Sequence, residues 1–309
     1  MEISTLFNAM PGAFSQGLIW AIMAIGVYIT FRILDVADLT VDGTLGLGGA
    51  VCIMCMLAGM NVWAAMALAF AAGILAGLVT GLFHTLMGIP AILAGILTQL
   101  SLYTVNLKVM GKANQAINVD KYDLLISLRF VKGVPIWQNT IVIVALIVVL
   151  LIAILYWFFG TELGCSVRAT GCNGNMARAQ GINTSFTTVL GLMLSNGLVA
   201  FSGALLCQYQ GFADVSMGRG AIVIGLAAVV IGETLFSKIF RNFALKLLSV
   251  AIGSIVYYLV MQVCIWFRID TDLLKMLSAI VVAVFLAVPY WKAKYFTRVN
   301  VHKGGADRA

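Results

Sequence analysis

Three aspartates, Asp35, Asp38 and Asp42, stand close together beside Arg32 in a chain otherwise poor in charge. Acids set among apolar residues can hold a cation or pass a proton along a membrane path. They can also accept the free N–H groups at the start of a helix, where a carboxylate suits the helix dipole. The order Asp38, Thr40, Asp42 ahead of an apolar run favours capping, with the side-chain oxygens of Asp38 and Thr40 as caps of the second apolar segment at its membrane boundary. Glu233, in VVIGETLF, receives a structural reading on the same ground. Asn196, Ser202 and Gln208 lie inside another apolar run, where they could line a solute path or join helix to helix. Both uses stay open.

Other chemistry is scarce. The six cysteines, Cys52, Cys55, Cys165, Cys172, Cys207 and Cys264, are scattered, and only His84 and His302 could join them, so no metal site is expected and the thiols read as small packing residues. No pair of carboxylates and no nucleophile with a base suggests a catalytic centre. The glycines Gly43, Gly46, Gly48 and Gly49 do not form the phosphate loop G-x-x-x-x-G-K-[ST], which is absent from the chain, so no nucleotide cofactor is expected on it.

The elements that must position these residues follow from composition. With 62% hydrophobic and 10% charged residues over 309 positions and a mean hydropathy of +1.04, the chain departs from a soluble domain, which carries about 25% charge. Helices of about 20 apolar residues satisfy their own backbone across a bilayer, and such runs recur throughout. The expected fold is an all-α polytopic membrane protein with about nine spans, near 12–33, 41–60, 62–83, 89–110, 138–160, 185–209, 218–236, 244–267 and 272–291. Positions 1–291 form one transmembrane domain and 292–309 a basic tail. The opening residues lack the positive charge of a cleavable signal, so the first span is expected to be retained.

Lysine and arginine resist translocation, which places the tail with Lys292, Lys294, Arg298, Lys303 and Arg308 in the cytoplasm and the N-terminus outside. Arg32, Arg168, Arg178, Lys238, Arg241 and Lys246 then also fall on the cytoplasmic side. The segment 111–137 falls outside, where Lys112, Lys121, Arg129 and Lys132 are partly offset by Asp120 and Asp123. The net charge of +7 reads as membrane anchoring, without nucleic acid as a partner. Gly73, Gly77 and Gly81, spaced by four, share one face suited to close helix packing.

Two stretches resemble each other: ADLTVDGTLGL from Ala37 and ADVSMGRGAIVIGL from Ala213. Entering the bilayer from opposite sides, they predict an inverted-topology repeat with interrupted helices. The stretch 161–185 lies in the cytoplasm between the fifth and sixth spans. Within it NGNMARAQ predicts about two helical turns, capped by Asn173 or Asn175 and stopped by Gly181. It could enter a groove on a partner or be a solvated linker.

The run GCSVRATGCNGNMARAQGIN, continuing into LSNGLVAFSGALLCQYQGFADVSMGRG and LAAVVIGETLF, resembles the permease subunits of ABC importers of the branched-chain amino acid and ribose superfamily. The entry VADLTVDGTLGLGGAV resembles their tryptophan/tyrosine-type subgroup. The resemblance implies a bacterial cell-membrane permease, homodimeric or paired with a similar subunit. It implies a cytoplasmic ATPase subunit that holds ATP and magnesium, and an extracytoplasmic solute-binding protein or lipoprotein that delivers a small solute. Arg168, Ala169, Thr170, Gly171, Asn173, Met176, Ala177, Ala179, Gly181, Ile182 and Asn183 would be the ATPase-coupling contact; Cys172 and Gly174 depart from the family pattern. Asp38, Thr40, Asp42, Asn196, Ser202 and Gln208 are candidates for a substrate pathway beside the second and seventh spans. An amino acid is the implied cargo, ahead of a sugar or nucleoside. The rivals are an ion-coupled secondary transporter using Asp38, Asp42 or Glu233, and a membrane anchor or receptor.

Overall fold

The computed structural model describes residues 3–119, 121–122, 124–131, 139–236, 240, 242–267 and 273–291. The basic tail 292–309, together with Lys132, Lys238, Arg241, Asp120 and Asp123, lies outside the described residues.

Nine helices occupy the nine apolar segments: α1 Ile3–Tyr28, α2 Val41–Leu57, α3 Val62–Thr85, α4 Ala91–Met110, α5 Thr140–Gly160, α8 Thr184–Gln210, α9 Ala221–Phe236, α10 Phe243–Trp266 and α11 Leu274–Trp291. Six of these are long and apolar enough to cross a membrane: α1 with the turn that follows it, α3, α4, α5, α8 and α10; α2 and α9 are shorter. The first helix starts before position 12, with Pro11 inside it. Two helices sit between α5 and α8. The lone α7, Gly174–Ala179, matches the two turns expected there, whereas α6, Glu162–Cys172, was not legible in a stretch rich in glycine and threonine. A small antiparallel pair, β1 Asn114–Ala116 and β2 Phe212–Asp214, closes the other end of the bundle. The architecture is an all-α polytopic membrane fold.

Helices α1 and α8 form the buried centre and run antiparallel. Ser195 Oγ donates to the Gly26 carbonyl at 2.7 Å and Ser202 Oγ to the Ile19 carbonyl at 2.8 Å. Each such bond contributes only about 0.6 kcal/mol on average in a membrane protein, so close backbone contact must carry most of the packing. Glycine permits it. A Cβ at Gly73 or Gly77 would collide with the carbonyl of Asn196 or Leu192, and one at Gly81 would crowd Val189, so the Gly73, Gly77, Gly81 face of α3 lies on α8. Helix α10 lies on α1 in the same way, with Ser254 Oγ donating to the Gly17 carbonyl at 2.9 Å and the Gly17 Cα against Ile255.

Candidate functional site

After α1 the chain makes a π turn over Ile29–Ile33, with Arg32 on its last turn. Asp35 then adopts a left-handed conformation, φ 56°, which a short polar side chain tolerates better than a bulky one. This reverses the chain back into the bundle. Asp38, 3% exposed, accepts a bond from Thr40 N at 2.9 Å through Oδ1 and from Asn196 Nδ2 at 2.6 Å through Oδ2. Asn196 Oδ1 in turn accepts from Thr44 Oγ1 at 2.8 Å.

Asn196 lies near the middle of α8, Thr184–Gln210, about 18 Å from its start and about 21 Å from its end at 1.5 Å per residue. Asp38 therefore sits at mid-depth of the bundle, not at the boundary that the sequence suggested. The reason is tertiary: the five residues 34–38 climb back to meet a partner on α8. Thr40 also differs from expectation, because its hydroxyl makes no cap bond; it pairs with Thr80 Oγ1 at 2.8 Å, and Asp38 alone supplies the turn at the start of α2.

A second approach comes from the β-sheet end. Asp214 Oδ1 accepts from Ser216 N at 2.7 Å and from the Ser216 hydroxyl, the same turn that Asp38 makes with Thr40. The chain then presses Gly218 against the Asp42 carbonyl, where a Cβ would not fit. Asp42 accepts from Gly220 N at 2.9 Å through Oδ2 and from Ile222 N at 3.0 Å through Oδ1. An aspartate in the first turn of α2 thus caps α9, so the two short helices begin at one point and run in opposite directions. Asn106 of α4 braces the junction with a 3.2 Å bond to the Gly43 carbonyl, while its own Oδ1 is buried without a partner among the described residues.

The other polar candidates are buried and bonded within the chain. Ser202 joins α8 to α1, as above. Gln208 accepts from Leu125 N at 3.2 Å and reaches Cys52 Sγ at 3.6 Å, tying the end of α8 to the loop before α5 and to α2.

At the opposite end, α7 is held firmly. Asn173, and not Asn175, is its cap, accepting from Met176 N at 3.1 Å. Gly181, φ 83°, stops it with a bond from its N–H to the Arg178 carbonyl at 2.9 Å. Arg178 Nε donates to Thr184 Oγ1 at 2.8 Å, Thr170 and Thr187 share a 2.7 Å hydroxyl bond, and Asn183 caps α8. Gly171 of α6 is in contact with the Ile33 carbonyl, and Arg168 lies over the Phe243 ring at 5.5 Å. Ala169 and Ile182 are half-buried and Ala177 is 4% exposed, whereas Met176 is 63% exposed and Ala179 is open.

Also at this end, Arg32 Nε donates to Glu233 Oε1 at 2.9 Å, the side chains being 58% and 34% exposed. Exposed pairs contribute roughly 0 to 1 kcal/mol. E233Q is accordingly expected to shift thermal stability in detergent by less than about 1 kcal/mol and to leave transport near wild type; loss of transport with a normal melting curve would assign Glu233 a working role.

Residues 10–289 match the family model described as branched-chain amino acid transport system / permease component. The chain belongs to that family. It is a permease component of an ABC-type transport system. The tyrosine transport system permease protein of Clostridioides difficile is 38% identical over 279 residues, 88% of each chain. An uncharacterised protein of Rickettsia prowazekii is 33% identical over 282 residues, 91% of this chain and 97% of that one. The solved structure of PsaBC from Streptococcus pneumoniae in complex with Fab covers 95% of the permease with a TM-score of 0.54 at 16% identity, a likeness of fold. The junction of α2 and α9 and the α6–α7 element are thus features of a transport permease.

Proposed function

We propose that this permease is the membrane subunit of an ATP-binding cassette importer that carries a small solute, an amino acid with tyrosine the first to test, into a bacterial cell. The observation that carries the reading is the 38% identity over 279 residues with a tyrosine transport system permease protein. An extracytoplasmic binding protein or lipoprotein delivers the cargo. ATP and magnesium act in a separate cytoplasmic ATPase, and the permease works as a homodimer or with a similar subunit.

The nine helices of the apolar segments are the spans, the N-terminus lies outside and the tail 292–309 inside. Supporting this orientation, Arg32, Arg168, Arg178 and Lys246 all lie at the α7 end. An inverted repeat relates the halves. Asp38 and Asp214, Thr40 and Ser216, Asp42 and Gly218, Ile19 and Ser195, and Gly26 and Ser202 are each 176 positions apart. The bonds Ser195 to Gly26 and Ser202 to Ile19 exchange under that shift, and Asp42 touches its own counterpart Gly218. Such reciprocity is what a two-fold axis through the α2–α9 junction produces.

The coupling element is α6–α7. Met176, Ala179, Gly181 and Asn183 offer the outward face, while Arg168, Ala169, Thr170, Gly171, Asn173, Ala177 and Ile182 fix it to the bundle. Closure of the ATPase dimer displaces α7, and Gly171 passes the movement to Ile33, at the foot of the irregular segment that rises to Asp38. The ATPase can shift this equilibrium only by binding the two arrangements differently. Asp38, Thr40, Asp42, Asn196, Ser202 and Gln208 position the two short helices that border the cargo route.

The test is reconstitution with the ATPase and binding protein in proteoliposomes. ATP-dependent uptake of labelled tyrosine is expected to persist when ion gradients are dissipated. Uptake that follows the gradient and ignores ATP would sink the reading.

A further inference from the structure

Arg219 lies between Gly218 and Gly220 at the meeting point of α2 and α9, and it is exposed. Its depth is fixed by its neighbours: Gly218 is against the Asp42 carbonyl and Gly220 N is held by Asp42, two residues from the Thr44 that bonds Asn196 in the middle of α8. The guanidinium lies 5.6 Å from the centroid of the Tyr103 ring, itself midway along α4. Among the described residues the Arg219 side chain makes no ion pair or hydrogen bond. The Asp42 carboxylate nearby has both oxygens engaged by backbone N–H groups.

A guanidinium facing lipid at mid-bilayer costs more than a single cation–π contact returns. Charge at this depth is tolerated where it faces water or a counter-charge.

We propose that Arg219 faces the water-filled cargo route and takes the carboxylate of the passing amino acid, with the Tyr103 ring beside it to receive an aromatic side chain. A guanidinium binds a carboxylate through two parallel N–H bonds, which an ammonium cannot match. The assignment rests on the importer reading above for the identity of the cargo.

The experiment uses the full complex in proteoliposomes with labelled L-tyrosine as probe, and R219C treated with an amine-bearing or a sulfonate-bearing methanethiosulfonate. Untreated R219C is expected to take up tyrosine about tenfold or more slowly than wild type. The amine reagent should restore a large part of the rate and the sulfonate reagent none, each compared with identically treated wild type to account for the native thiols. Because charge is returned to an already folded protein, rescue separates a binding role from a folding defect. R219K should fall between wild type and R219Q. Equal effects of the two reagents, or R219Q at the wild-type rate, would overturn the proposal. So would failure of R219C to react with either reagent, which would place the side chain against lipid or protein. Wild-type vesicles without ATP-driven tyrosine uptake would sink the importer reading; a water-accessible R219C whose labelling free tyrosine does not slow would then sink this one as well.

Discussion

M176D is expected to lower substrate-stimulated ATP hydrolysis by about thirtyfold, the loss typical of a central anchor residue in a protein interface. Met176 is 63% exposed on α7, and an unbranched thioether can adapt to a groove on a partner. An aspartate there would bring an unpaired charge into a desolvated contact. The neighbouring Ala177 is a poorer probe, although the sequence offers both equally. It is 4% exposed and packs into the chain itself, so a bulky residue there would dislodge α7 before any docking could be read. Met176 reports on the contact alone because the cap at Asn173 and the stop at Gly181 use backbone and residues other than its side chain. The measurement is hydrolysis by the reconstituted complex, alongside copurification of the ATPase with the variant. Full stimulation by M176D would remove α7 from the coupling contact.

The rigidity of that element explains how a contact at one end could matter at mid-depth. Helix α6 rests by Gly171 on Ile33, and Thr170 is bonded to Thr187 near the start of α8. From Ile33 the chain leads directly to Asp38, and α8 carries Asn196 to the same place. Two routes therefore join α7 to the point where α2 begins. Energetic coupling across such a distance needs packed or bonded elements of this sort, and the number of residues sharing it is a matter for measurement.

Much of this was legible in the sequence, for reasons that can be named. Apolar runs long enough to cross a bilayer reveal helices because the backbone has no other way to be satisfied there. The fourfold spacing of Gly73, Gly77 and Gly81 marked a packing face that α8 occupies. Asn173 and Gly181 marked the bounds of α7 through local capping chemistry. What the sequence hid depends on residues far apart. Asp38 reads as a boundary residue until Asn196, 158 positions away, is seen to hold it at mid-depth. The backbone groups capped by Asp42 are 178 and 180 positions away, on a different helix. Arg219 escaped notice because an arginine between two glycines looks like a surface turn, and only the depth of its neighbours makes it unusual. Helix α6 was missed because glycine and threonine lower its local propensity, while packing on α5 and α8 holds it in place.

The junction gives the second large effect. D42A removes both acceptors at the start of α9 and leaves the exposed Gly220 N and the half-buried Ile222 N without their partners. Loss of an aspartate cap costs about 0.5 to 2 kcal/mol, and the helix also loses a carboxylate that its dipole favours. The expected result is a lower yield of folded permease, a lower melting temperature in detergent and uptake reduced by more than about tenfold. D42N keeps one carbonyl oxygen that can accept but points an amide donor toward the other N–H, so it should fall between D42A and wild type in both stability and uptake. An ion-coupled transporter using Asp42 as its proton or sodium site predicts another order. There D42N and D42A would abolish uptake alike, because neither carries a charge to exchange, and stability would be little changed. The ranking of the two variants, read on melting and uptake together, therefore decides whether this carboxylate works as a helix cap or as an ion site. A cap is the reading that accounts for both of its oxygens.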